Sequence, residues 1–225
     1  MMKPCRFIDN EIAEDWQKTE LNRAPRCGKL TTLNLQVEQL ERIRRLVKAG
    51  EDRTYQFLGY TLDLETSEFH DLLEKGTVHG GWDVKNMAAL LAHYSLANET
   101  PKTGKLVKFR DLLGGYAFEH AFTQRAVNPI AQVFGNNPLE LVEAAKFFGG
   151  KRLDYGDVSV EVPALRGIPM VFIVWAAQEF PATANLLFDE SANCFLDTES
   201  LAVLGELTTH RLFRAHSVLG EKTTL

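Results

Sequence analysis

The spacing of apolar positions divides the chain into helical and extended stretches. Val37, Leu40, Ile43 and Val47 recur at helical intervals, which predicts a helix over residues 35–49, with Asn34 capping its start and Gly50 ending it. Residues 54–64 are rich in aromatic and β-branched side chains. Leu58, Tyr60, Leu62 and Leu64 alternate onto one face, as a half-buried strand requires. A second short strand is expected near Phe69, and a helix from Asp83 to about residue 97 with Met87, Leu90, Leu91 and Tyr94 inward.

The middle of the chain reads as a short strand over residues 106–109 and a helix over residues 116–125. Asn128-Pro129 and Asn137-Pro138 each restart a helix, because Asn caps and Pro suits the first helical position. Gly135 and Gly149-Gly150 stop those helices. The last third changes character. Val158, Val160 and Val162 alternate, residues 170–175 are wholly apolar, and residues 183–188 and 192–196 are two further strand candidates. Their connections are too short for parallel crossovers, so they predict one antiparallel sheet. Asp197 caps a final helix over residues 198–215 with Leu201, Leu204 and Leu207 at helical spacing. The fold class expected is α+β: a mainly antiparallel C-terminal sheet packed against several helices. Residues 1–32, mixed in charge and weakly periodic, read as a loosely packed arm with a helical piece around residues 12–18; residues 33–225 read as a single domain.

Composition narrows the function classes. Lys and Arg number 25 against 30 Asp and Glu, a net charge of −5, which disfavours a nucleic-acid binder that needs a basic face. No apolar run approaches the roughly 18 residues of a membrane helix, and the N-terminus turns acidic before any hydrophobic region forms, so neither a membrane span nor a secretory leader is expected. Cys5, Cys27 and Cys194 are scattered and contain no C-x-x-C pair, which points away from a disulfide framework or thiolate metal site and towards a reducing cytoplasm.

The strong catalytic and nucleotide-binding motifs are missing: no P-loop, no strand-linked G-x-G-x-x-G, no G-x-S-x-G and no H-E-x-x-H. Arg42, Arg44, Arg45 and Lys48 crowd one helix, where Glu38–Arg42 and Glu41–Arg45 are favourable i,i+4 pairs; they read as a solvated face or an anion patch. His79 stands in a glycine-rich loop beside Trp82 and Asp83, placed either to meet a ligand or simply to face solvent. The most distinctive stretch is Trp175-Ala-Ala-Gln-Glu-Phe-Pro181: an apolar strand ends in tryptophan, then Glu179 follows. Asp189 ends the next strand. Two carboxylates at neighbouring strand ends would suit acid–base work or cation binding; alternatively each satisfies turn amides.

Thr103-Gly-Lys-Leu-Val-Lys-Phe-Arg-Asp-Leu-Leu-Gly-Gly115, Phe147-Phe-Gly-Gly150, Tyr155-Gly-Asp157, Ile168-Pro169, Val174-Trp175, Glu179-Phe-Pro181, Leu186-Leu-Phe-Asp189 and Phe195-Leu196 resemble, in this order, a prokaryotic family of unknown function, DUF3786, over about residues 44–212. In the family pattern a Trp-Gly-x-Asp-Glu-Glu-Phe-Pro-like stretch follows the apolar strand; this chain carries fewer acids there. The resemblance implies an accessory or binding role in anaerobes near redox or one-carbon (corrinoid) chemistry, and it supplies no reaction. The leading expectation is therefore a cytoplasmic ligand- or partner-binding protein, the partner being a small molecule, another protein or a second copy of the chain. Its contact residues would be Arg110, Trp175, Glu179, Asp189, His79 and Trp82, with Arg110 paired to one of the carboxylates. The alternative is a small hydrolytic or metal-assisted enzyme using Glu179 and Asp189. No catalytic residue, cofactor or metal is assigned.

Overall fold

The computed structural model describes residues 31–73 and 82–223; residues 1–30 of the expected arm over residues 1–32, with Cys5 and Cys27, lie outside the described residues, as do His79 and the side chain of Trp82. The elements are β1 (Thr31–Thr32), α1 (Val37–Val47), β2 (Thr54–Phe57), β3 (Tyr60–Asp63), β4 (Glu68–Asp71), α2 (Trp82–Tyr94), β5 (Leu106–Lys108), α3 (Glu119–Phe122), α4 (Asn128–Phe134), α5 (Leu139–Lys146), β6 (Lys151–Leu153), β7 (Val158–Leu165), β8 (Ile168–Trp175), β9 (Thr183–Asp189) and α6 (Thr198–Thr223). They form two antiparallel sheets, ordered β1-β4-β3-β2 and β5-β9-β8-β7-β6, with helices against them, so the chain is α+β.

The large sheet is built from the segments whose alternation marked them. Val160 faces Phe172, and Val162 faces Met170, while Phe188 pairs with Met170 from the other side. All of these side chains are buried in one continuous core that also takes in the small sheet and the helices. α4 and α5 pack on that face of the sheet, and α6 packs over α5 and α2. Both outer strands of the large sheet, β5 and β6, are three residues long and carry lysine, which limits edge-to-edge pairing.

Several local expectations are corrected. Residues 54–64 are a hairpin, not one strand. Leu58 and Gly59 both have positive φ (47° and 74°), the twist a two-residue hairpin turn needs. Thr31 and Thr32, counted with the arm, pair with Phe69 and Glu68 as a strand. In α1, Leu40, Ile43 and Val47 are buried but Val37 is 74% exposed; Gln36, in a reciprocal box with Gln39, caps the helix two residues later than Asn34 would. A helix does resume at Asn128-Pro129, but Asn128 does not cap it: its φ is helical, its N–H donates to the Thr123 carbonyl, and the chain runs from α3 to α4 by a π-helical turn, Thr123–Val127. Pro129 has no N–H to give Arg125, and the widened turn absorbs that lost bond. Residues 192–196 are not a strand. Asp189 accepts a hydrogen bond from the Ser191 N–H and turns the chain into a 3-10 helix, Glu190–Cys194.

The two sheets are tied together by polar side chains that the hydrophobic pattern does not reveal. Arg211 of α6 is 2% exposed and makes a two-point ion pair with Asp71 of β4, at 2.7 and 2.6 Å. It also donates to the Leu58 carbonyl at 2.9 Å and lies 3.9 Å over the Tyr60 ring. The hydroxyl of Tyr94 donates to the Arg166 carbonyl and that of Tyr55 accepts from the Arg166 N–H, so α2 and β2 both grip the β7–β8 turn.

Candidate functional site

β8 ends at Trp175, and its neighbour β9 begins opposite, at Thr183. The loop between them, residues 176–182, folds over the sheet end beside the turn that precedes β7. That turn holds Gly156 at φ 56°, where an added Cβ would stand 2.7 Å from Ile173 Cγ2 and 3.2 Å from Trp175 Cε2. Only glycine lets the turn lie so close to the tryptophan. Asp157 then locks the corner: its N–H donates to the Val174 carbonyl at 3.1 Å, and its carboxylate accepts from the Ala176 N–H at 2.8 Å. The far side of the loop is held by the Ala177 N–H, which donates to the Gly135 carbonyl at the end of α4, 3.0 Å away.

These constraints frame an open hollow of about 560 Å³ lined by Asp157, Trp175, Gln178, Phe180, Pro181 and Thr183. Trp175 is 38% exposed and Phe180 78%, and Tyr155 in the adjoining turn is 49% exposed. Rigid backbone thus presents aromatic surface that folding alone would bury. Among the described residues Asp157 is the only charged side chain in the lining. Glu179, between two lining residues, is exposed.

Asp189 is not part of this site. In an antiparallel pair the end of one strand adjoins the start of the next, so Asp189 sits at the far end of β9, six residues or roughly 20 Å from Thr183. There it is 3% exposed and accepts from the N–H and hydroxyl of Thr103, the N–H of Gly104, and the N–H and hydroxyl of Ser191, at 2.6–3.0 Å. Burial works against its charge, but the Ser191, Thr103 and Gly104 hydrogen bonds outweigh burial and hold the carboxyl well below the usual range. A carboxylate so held is no proton donor at neutral pH, and Glu179 is too far away to share a reaction with it. The expected Glu179–Asp189 juxtaposition is therefore overturned.

Arg110 is also placed elsewhere. It lies in a 3-10 turn, Phe109–Asp111, 3.4 Å from the Glu119 carboxylate and 5.3 Å from the Tyr116 ring centroid. The guanidinium both pairs and stacks, as expected of arginine, but on local partners rather than on Trp175, Glu179 or Asp189. Near it Leu113 is 83% exposed although its backbone is gripped by the side chains of Asn193 and Thr198.

A second polar cluster joins α2 to the start of α6. His93 Nδ1 is 2.8 Å from Ser200 Oγ and 3.5 Å from Asp197 Oδ2. Both contacts fall on the same ring nitrogen, whereas a nucleophilic triad needs serine and carboxylate on opposite nitrogens. Asp197 caps α6 through the Ser200 N–H, so the cluster closes a helix end. Among the described residues no group of three or more His, Cys, Asp or Glu is arranged to hold a metal ion, and no helix is long and apolar enough to cross a membrane.

Sequence reasoning singled out Trp175 and Glu179 and quoted the Tyr155-Gly-Asp157 turn, yet gave Asp157 no role. Its only signal was the glycine before it, which marks a tight turn without showing what that turn meets. Fold and site together define an α+β protein with an open aromatic hollow at one end of its larger sheet. The chain belongs to the family described as a domain of unknown function (DUF3786), whose pattern it matches over residues 44–211, from α1 to Arg211. No curated protein and no solved structure matches it.

Proposed function

We propose that this chain is a binding protein, an accessory rather than a catalyst, and that the hollow at the end of β8 is its contact surface. The observation that carries this reading is the exposure of Trp175 and Phe180 on a locked backbone at the mouth of an open concavity. Exposed aromatic residues held rigid lose little entropy on binding, which makes them good anchors. Glu179 flanks the anchors, and Arg110 belongs to a separate exposed patch with Tyr116 and Leu113. Asp189 contributes by fixing the end of β9. His79 and Trp82 complete the proposed contact set. The partner is a small molecule or another protein, including a second copy of the chain, rather than nucleic acid or membrane. The free, exposed thiol of Cys194 is in keeping with a cytoplasmic setting. The family resemblance favours work beside anaerobic redox or one-carbon enzymes.

The test is native mass spectrometry of protein purified anaerobically from its own host, beside a Trp175→Ala, Phe180→Ser variant. We expect a retained ligand or partner in the natural protein and its loss in the variant, with little change in melting temperature. The same bound mass on both proteins, or none on either, would overturn the reading.

A further inference from the structure

Resting on that reading, we infer that the hollow takes a small organic cation, an alkylated or quaternary ammonium group seated on Trp175 and Phe180 and neutralised by Asp157. The lining selects this class by elimination. An anion would meet one carboxylate and, among the described residues, no cationic side chain. A metal ion would find one carboxylate, the Gln178 amide and the Thr183 hydroxyl among aromatic and aliphatic neighbours, fewer oxygen side chains than it needs to replace its hydration shell. A purely apolar group would strip water from Asp157 without compensating its charge. An alkylammonium group satisfies all three surfaces at once. Its methyl groups bury apolar area, its charge is attracted to the face of an indole, and the carboxylate supplies the counter-ion.

The charge on Asp157 is available for this role. Its carboxylate accepts the Ala176 N–H, and no lysine or arginine among the described residues pairs with it. The same hydrogen bond fixes the carboxylate beside the tryptophan, and Gly156 backs the ring on one side. The site is therefore organised before any ligand arrives. A volume of about 560 Å³ lies within the range of roughly 300–1,000 Å³ typical of small-molecule sites. The net charge of −5 gives the whole molecule the sign that draws cations in.

The probe is tetramethylammonium chloride, with neutral tert-butanol as the uncharged counterpart and potassium chloride as the control for ionic strength. Saturation-transfer NMR and calorimetry would be run on the natural chain, Trp175→Leu and Asp157→Asn. Asparagine keeps the oxygen that accepts from Ala176, so that variant retains the turn, and its melting curve checks this. We expect saturable binding of tetramethylammonium, weakened at least tenfold by Asp157→Asn, abolished by Trp175→Leu, and reduced by added salt. Equal binding of tert-butanol, or an unchanged affinity in Asp157→Asn, would overturn the cation assignment while leaving a binding hollow in place. Absence of binding by either probe would also overturn the assignment. In that case a ligand retained in the mass-spectrometric comparison would still uphold the hollow, and loss of both results would reject both readings.

Discussion

At the scale of single residues, the carboxylates separate by what surrounds them rather than by where they fall in the sequence. Asp189 and Asp157 each follow a run of strand residues or a tight turn, yet one is buried in a nest of donors and the other faces a hollow. For Asp189 the consequence is a pH-dependent contribution to stability. Its folded pKa lies below the unfolded value of about 3.9, so the folded state binds fewer protons than the unfolded state in acid. The stabilisation is complete above that unfolded value and disappears as pH falls through the folded one. Asp63 behaves alike: burial opposes its charge, but the Thr66 and Glu65 amides and Arg53 lower its pKa to about 2. We expect Asp189→Asn to cost on the order of 2–3 kcal/mol at neutral pH, because it removes charge from several buried hydrogen bonds. The gap between the natural chain and the variant should narrow as pH drops from about 4 towards 2. Urea unfolding at pH 7, 4 and 3 measures this, and a gap independent of pH would show that Asp189 is not held ionised.

At the scale of elements, what the sequence reveals depends on whether the signal is periodic. Val158, Val160 and Val162 marked β7 because a half-buried strand repeats every second residue. Met87, Leu90, Leu91 and Tyr94 marked the inner face of α2 for the corresponding helical reason. The failures share another cause. The Leu58-Gly59 turn, the π turn before Pro129 and the 3-10 helix after Asp189 are set by single backbone torsions or single hydrogen bonds, which leave the hydrophobic pattern untouched. The site suffered similarly. Trp175 was visible because a tryptophan closing an apolar strand stands out, but which end of β9 it would meet depends on strand direction. Antiparallel pairing sends Asp189 away and brings the Asp157 turn in. The hollow also depends on a helix distant in sequence. At Gly135, closing α4, an added Cβ would stand 2.2 Å from Ala182 Cβ and 2.3 Å from the Ala131 carbonyl oxygen. Gly135→Ala should therefore push the 176–182 loop outward, lower stability by about 1–3 kcal/mol through overpacking, and alter the fluorescence of Trp175. Spectra of the variant read against a Trp175→Phe background would isolate that signal. An unchanged Trp175 environment would mean the loop is not anchored on α4.

At the scale of the whole molecule, the question is what makes two sheets of different size behave as one structure. Apolar burial joins them, but its contacts are non-directional and tolerate sliding. The contact that fixes their relation is Arg211. From α6 it reaches Asp71 and the Leu58 and Gly59 carbonyls of the small sheet, while its own helix packs on α5 and α2. Tyr55 and Tyr94 add a second clasp at Arg166, on the turn of the large sheet. Arg211 and Asp71 are charged and buried, so any separation of α6 from the small sheet strands a charge in an apolar setting. Global stabilities are of order 5–15 kcal/mol; breaking the pair by Arg211→Ala should remove roughly 3–5 kcal/mol, a large share of that total. Asp71→Ala should cost a similar amount alone. In the doubly substituted chain the losses should fall well short of additive, because no partner is then left unpaired. Amide exchange in β3 and β4 should quicken together with exchange in the middle of α6. If β3 and β4 opened alone while α6 stayed protected, the small sheet would be an independent unit, and Arg211 an ornament of its surface instead of the joint between the two sheets.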